Sequence, residues 1–72
     1  MIEWIPVASA MIVAEAYDAN TETIYLRFND GAEWSYAACP ANVLDEYSAP
    51  GLSRGQYFHR VLKFKPSARL AD

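Results

Sequence analysis

Apolar and polar side chains alternate most clearly in the second quarter of the chain, where Tyr25 and Arg27 separate Ile24, Leu26 and Phe28. A period of two is typical of a strand with one buried face. A run of small and β-branched residues precedes this segment, and a run containing two aromatic residues follows it. We therefore predict three strands, at residues 11–17, 23–28 and 32–37.

The turn between the second and third strands admits two registers. A two-residue Asp-Gly loop pairs Phe28 with Glu33 and turns Trp34 away from the apolar face. A three-residue Asn-Asp-Gly loop, with Gly31 left-handed in a bulge, pairs Phe28 with Ala32 instead. We predict the second register because it collects the large apolar side chains of both strands on one face.

The second half of the chain has helical periodicity in two segments. Pro40 suits the first position of a helix that runs to about Ser48 and stops before Pro50 and Gly51. A second helix is predicted over residues 54–64, ended by the proline that follows. Its apolar arc carries Tyr57, Phe58, Val61, Leu62 and Phe64.

The second helix begins with a full set of N-terminal signals. Ser53 can serve as the N-cap, and Gln56 lies three residues on, where its side chain can reach back to the cap amide. Leu52 and Tyr57 are spaced to form a hydrophobic staple across the cap. Gly55 is a poor helix former in the first turn, which indicates close backbone packing at that point.

These elements predict an α+β fold, a three-stranded antiparallel β-meander packed on one face by two short C-terminal helices. We expect a single domain over residues 1–72, with an ordered core at about 7–65 and a flexible C-terminal tail at 66–72. The core is predicted to consist of Ile24, Leu26, Phe28, Trp34, Tyr36, Val43, Leu44, Tyr57, Phe58, Val61 and Leu62.

Composition is consistent with one small soluble domain. A chain of 72 residues holds a single core, and its ten aromatic residues supply the large buried areas that such a core needs. Cys39 is the one cysteine, so no internal disulfide is expected. Because the N-terminal segment lacks a basic region and a long apolar run, we expect neither a signal peptide nor a membrane span, and a cytoplasmic location.

Charge is distributed unevenly along the chain. Residues 1–50 carry eight acidic side chains and one basic one, whereas residues 51–72 carry five basic side chains and one acidic one, for a net charge of −3. Two interpretations remain open. The surface is polarised and suits a charged partner, or the two ends of the chain neutralise each other.

The residues offer little catalytic chemistry. Cys39 and His59 are the only residues that could form a catalytic pair of the Cys-His kind. Cys39 directly precedes Pro40 and is better explained as a small buried apolar side chain. No zinc-ligand spacing and no phosphate-binding glycine loop is present. We therefore expect no catalytic residue, no metal and no cofactor, and a protein that is not an enzyme.

Several short motifs appear in the order and spacing of a known family. They are Val7-Ala8-Ser9, Tyr17-Asp18, Trp34-Ser35-Tyr36, and Ser53 to Phe58, followed by Lys63. The chain resembles the KTSC domain, whose central Tyr-x-Tyr falls on Trp34 to Tyr36, with Trp34 a departure from the family pattern. This module is found alone in bacterial and phage proteins and at the C-terminus of some lysyl-tRNA synthetases. The resemblance implies a small non-enzymatic domain without established chemistry.

Two binding functions remain. The length and acidity also resemble small phage proteins that bind host RNA polymerase, so we expect a monomeric module that binds a protein partner in the gene-expression machinery of a host cytoplasm. The alternative is RNA binding through a basic helix face, with Tyr25 or Trp34 stacking on bases. In either case the predicted contact residues are Arg54, His59, Arg60, Lys63, Lys65 and Arg69.

Overall fold

The strands form one antiparallel sheet with the order β1-β2-β3-β4-β5, and the helices lie between β4 and β5 in the chain. The structure, a computed structural model, describes residues 2–71. Its elements are β1 (Ile5–Pro6), β2 (Ile12–Asp18), β3 (Thr23–Phe28), β4 (Glu33–Tyr36), α1 (Ala41–Tyr47), α2 (Arg54–Arg60), a 3₁₀ turn (Leu62–Phe64) and β5 (Ser67–Ala71).

The sheet has five strands where the sequence predicted three. β1 adds a short edge strand beside β2, and β5 pairs with β4 through Tyr36 opposite Ser67 and Trp34 opposite Arg69. Residues 66–72 were expected to form a flexible tail, and Ser67–Ala71 instead complete the sheet, while Asp72 lies outside the described residues. The α+β class and the two helices are as predicted.

The β3–β4 turn adopts the predicted three-residue register. The Phe28 amide donates to the Ala32 carbonyl at 2.9 Å, and Leu26 lies opposite Trp34. Gly31 has a φ of +92°, in the left-handed region that glycine enters without steric cost. Trp34 is half-buried against the core, so the register is confirmed.

The core lies between one face of the sheet and the two helices. All eleven residues of the predicted core are either buried in it or packed against it. Three residues outside that prediction, Ile12, Cys39 and Tyr47, are also fully buried. Phe58 brings α2 onto the sheet through edge-to-face contacts with Phe28 and Tyr36, at ring-centroid distances of 5.3 and 5.5 Å.

The second helix is shorter than predicted. α2 ends at Arg60, and Val61, with φ −128° and ψ −58°, departs from helical geometry before the 3₁₀ turn. The turn keeps Leu62 fully buried but leaves Phe64 74% exposed, so Phe64 does not belong to the apolar arc. The chain has to leave the helix here because β5 must come alongside β4.

The start of α2 confirms one prediction and corrects another. Ser53 is the N-cap, and its Oγ accepts a hydrogen bond from the Gln56 amide at 3.4 Å. Close packing at Gly55 was expected, but a Cβ there would meet the Met11 sulfur at 3.6 Å, which is ordinary van der Waals contact. Gly55 is therefore not required by packing.

Candidate nucleic-acid interface

Four of the six predicted contact residues follow one another from the end of α2 into β5, and two of them, Lys63 and Arg69, lie on the β4–β5 side of the molecule. Arg60 ends α2, Lys63 lies in the 3₁₀ turn, Lys65 follows it, and Arg69 lies in β5. We call these four residues the basic rim. Three of them are exposed and Lys65 is half-buried, while His59, beside Arg60, is exposed as well.

Arg54 does not join the basic rim, because its charge is used inside the fold. Its Nε donates to Glu15 Oε1 at 2.8 Å, and its guanidinium lies 5.3 Å from the ring centroid of Tyr47. The hydrogen bond to Glu15 raises the pKa of Arg54, which stays charged. Arg54 therefore ties the first turn of α2 to β2.

Arg27 is also paired within the fold. It contacts Glu33 across the β3–β4 pair at 2.6 Å and lies 4.5 Å from the ring centroid of Trp4, on the sheet face away from the helices. Among residues 2–71, by contrast, Arg60, Lys63 and Lys65 form no ion pair. Arg60 and Lys63 are exposed, whereas Lys65 is half-buried and interacts electrostatically with Cys39.

An aromatic groove opens beside the basic rim. It has a volume of about 400 Å³ and is lined by the rings of Phe28, Trp34, Tyr36 and Phe58, with Asp30 and Lys63 as its charged residues and Met11, Ala32 and Ser67 completing it. The Arg69 guanidinium lies 5.8 Å from the ring centroid of Trp34. Cations and rings therefore alternate over this side of the protein.

Phe64 is the functional candidate that sequence reasoning missed. Its ring is exposed, and the Lys63 Nζ lies 5.2 Å from its centroid. The helical periodicity assigned Phe64 to the core. A local signal could have distinguished Phe64 from the core residues, namely a Lys-Phe-Lys run directly before Pro66, where a helix is already ending.

The two aromatic residues that were expected to stack on bases lie on opposite faces of the sheet. Tyr25 is paired with Ala16 and Ser35, on the face that carries Arg27 and Glu33. Trp34 lies on the helix-covered face, at the groove. Only Trp34 is therefore next to the basic rim.

Most acidic residues lie away from the rim. Asp18 and Glu22 flank the β2–β3 turn, and Asp45 and Glu46 are on α1. α1 packs over the β1–β2 side of the sheet, where Leu44 shares a cleft with Ile5. Two acidic residues lie on the rim side: Asp30 lines the groove together with Lys63, and Glu33 lies in β4, where it pairs with Arg27. The acidic side chains of the first part of the chain thus lie largely apart from the basic side chains of the last part.

The Cys39 and His59 side chains do not have the environment of a catalytic pair. Cys39 is fully buried, its Sγ lies 3.3 Å from the Ala37 carbonyl, and burial raises the pKa of the thiol. Reactive cysteines instead have a lowered pKa and partial exposure. Residues 2–71 also contain no cluster of three or more His, Cys, Asp or Glu side chains suited to a metal ion.

Neither helix in the described part of the chain has the length and the apolar run needed to cross a bilayer.

Two lysine–tRNA ligases match the chain by sequence. The ligase of Nostoc sp. is 38% identical over 55 residues, and that of Trichormus variabilis is 38% identical over 50 residues. The matches cover 75% and 68% of this chain, respectively, but the chain spans only 9% of the length of each ligase.

The fold and the family comparisons agree with each other. A crystal structure of a KTSC domain protein from Yersinia pestis has a TM-score of 0.89 to this structure, covering 99% of this chain and 100% of that one at 19% identity. At that identity the likeness shows a shared fold. The model of the KTSC domain family matches residues 8–65, most of the chain. The protein therefore belongs to the KTSC domain family.

Proposed function

We propose that this protein is a non-enzymatic RNA-binding module whose basic rim contacts the phosphate backbone. The observation that carries the proposal is the exposed ring of Phe64 beside Lys63, whose Nζ lies 5.2 Å from the ring centroid and forms no ion pair among the described residues. An exposed phenylalanine costs solvation free energy unless something covers it. A base stacked on the ring, with its phosphate beside Lys63, uses both side chains at once.

The size of the rim indicates how strongly it can bind. Each lysine or arginine that neutralises a phosphate of a single strand releases condensed counterions, which adds roughly 0.7 to the slope of log affinity against log salt. A single exposed base stacked on an aromatic ring adds roughly 1–3 kcal/mol. A rim of four cations and one ring suits a short stretch of backbone, so we expect affinity that depends strongly on salt.

The sequence relatives support an RNA partner. They are lysine–tRNA ligases, enzymes that join lysine to tRNA, and the matching segment is a small part of each. An additional RNA-binding domain would help such an enzyme to hold its tRNA. We extend to this chain only the class of partner, RNA, and not the activity of the ligases.

The acidic net charge does not prevent this mode of binding. Asp18, Glu22, Asp45 and Glu46 lie on α1 and the β2–β3 turn, whereas the rim lies on the opposite side of the sheet order. At physiological salt, charges separated by more than about 8 Å are largely screened. Acidic groups farther than this from a bound phosphate therefore weaken its binding little.

The second candidate function is binding to a protein of the gene-expression machinery, with host RNA polymerase as the partner expected from the sequence. The observation that favours it is the same acidic surface on α1, together with a net charge of −3. A partner with a basic patch would associate faster through such a surface. In this case α1, and not the rim, would form the interface.

A pull-down with matched charge variants separates the two functions. Arg60→Gln/Lys63→Gln removes two rim cations. The control Ala19→Glu/Asn42→Glu, at exposed positions outside the rim, lowers the net charge by the same two units. We expect RNA to be recovered from bacterial lysate with the wild type and the control pair, and to be lost with the rim pair or after nuclease. If the recovered partner resists nuclease and is still recovered with the Arg60→Gln/Lys63→Gln variant, RNA binding is contradicted and a protein partner is supported.

A further inference from the structure

The groove beside the basic rim is lined by four aromatic side chains, those of Phe28, Trp34, Tyr36 and Phe58. Phe58 already packs edge-to-face against Phe28 and Tyr36, yet Trp34 stays half-buried along an open side, beneath the Arg69 guanidinium. The volume of the groove, about 400 Å³, lies within the range of clefts that hold small ligands, roughly 300–1,000 Å³. The groove therefore has room for a flat ring system.

We infer that this groove receives one unpaired nucleobase of the bound strand, with Trp34 as the stacking surface. The inference rests on the proposed function, since the groove shares Lys63 with the basic rim. A phosphate next to the inserted base would lie within reach of Lys63. The groove and the rim would then form one continuous binding surface.

The polar residue of the groove suits the edge of a base. Asp30 Oδ1 accepts a hydrogen bond from the Ala32 amide at 3.0 Å, which fixes the carboxylate at the start of β4. Its second oxygen can accept from a ring or exocyclic N–H of a base, as carboxylates do in nucleic-acid recognition. Asp30 would repel a bare phosphate, so the groove favours a base over the backbone.

A base can enter the groove only when it is not paired and stacked within an RNA duplex. A paired base is stacked on both sides, and extruding it costs a few kcal/mol, whereas bases of loops and single strands are already available. The groove thus predicts a preference for single-stranded RNA. The basic rim alone would bind single-stranded and double-stranded RNA alike.

Affinities of a short single-stranded RNA and of the matching duplex, measured by fluorescence anisotropy, test the inference. We expect Trp34→Leu to weaken single-strand binding roughly tenfold and to change duplex binding little, because a stacked base is lost and the rim is kept. Trp34→Phe retains a ring and should recover most of the affinity. Thermal unfolding of each variant checks that the fold is intact.

A second variant avoids any loss of the core. Ser67 is exposed and lines the groove, so Ser67→Ile should block the groove without adding a ring on which a base can stack, and leaves every buried side chain in place. It too should lower only the single-strand affinity. Wild-type affinity for the single strand in this variant would overturn the groove assignment and leave the proposed function standing. Absence of binding to either RNA by the wild type would instead refute the proposed function, and the groove assignment with it.

Discussion

Replacing Arg54 by Met separates a residue that holds the fold together from those that bind a partner. Met keeps the apolar stem but removes the hydrogen bonds to Glu15, at 2.8 and 3.5 Å. The Glu15 side chain is only 16% exposed, and that of Arg54 29%. The variant therefore leaves a largely buried carboxylate without its cation.

The expected loss follows from that burial. Exposed ion pairs contribute roughly 0.2–1 kcal/mol, whereas removing one partner of a fully buried pair costs roughly 3–5 kcal/mol. The pair between Arg54 and Glu15 lies between these limits. We therefore expect the free energy of unfolding to fall by about 2 kcal/mol, a substantial part of the stability of a domain this small.

Urea denaturation followed by tryptophan fluorescence measures this loss. Glu15→Gln and the double variant complete a cycle, in which the second substitution should cost less once the first is made. RNA affinity of the folded Arg54→Met protein should stay within about twofold of wild type, unlike that of Lys63→Met. A stability loss below about 0.5 kcal/mol, the range of ordinary surface changes, would refute the structural role. A loss of affinity equal to that of Lys63→Met would return Arg54 to the interface.

Three further predictions concern stability. Ser53→Ala should lower the free energy of unfolding by about 1 kcal/mol through loss of the N-cap, and an unchanged urea midpoint would contradict this. Gly55→Ala should stabilise by up to about 1 kcal/mol, because the added Cβ makes ordinary contacts and alanine is the better helix former; a lower melting temperature would restore the packing argument. Burial raises the pKa of Tyr36 to about 12, and burial followed by the hydrogen bond to Glu46 does the same for Tyr57. The folded state thus holds these protons after the unfolded state has released them, so stability should be full below about pH 10 and fall as pH rises towards 12. A melting temperature unchanged across that interval would show that the two hydroxyls are not protected.

Local signals account for the parts of the fold that were predicted correctly. The β3–β4 register depends on turn chemistry at Gly31 and on alternation within two adjacent strands, and both are visible in a short window. The N-cap at Ser53 is equally local. The core could be predicted because helical and strand periodicities select the same large apolar side chains.

The errors arise where distant parts of the chain decide the structure. β5 has a weak strand signal of its own and forms because β4 offers an edge about thirty residues earlier in the chain. Its path forces the helix to end at Arg60, which exposes Phe64. The contact between Arg54 and Glu15 was not predicted, because the two residues lie 39 positions apart in the chain and no periodicity connects them.

The central claim is that the basic rim binds RNA phosphates, and the salt dependence of binding tests it most directly. Affinity for a short single-stranded RNA is measured at several salt concentrations for the wild type and for the charge reversal Arg60→Glu/Lys63→Glu. Both positions are exposed, so the variant should fold with little change in stability. We predict affinity at least about tenfold weaker and a slope of log affinity against log salt that is smaller by about 1.4, the share of two phosphate contacts. A folded variant with the affinity and slope of the wild type would contradict the account.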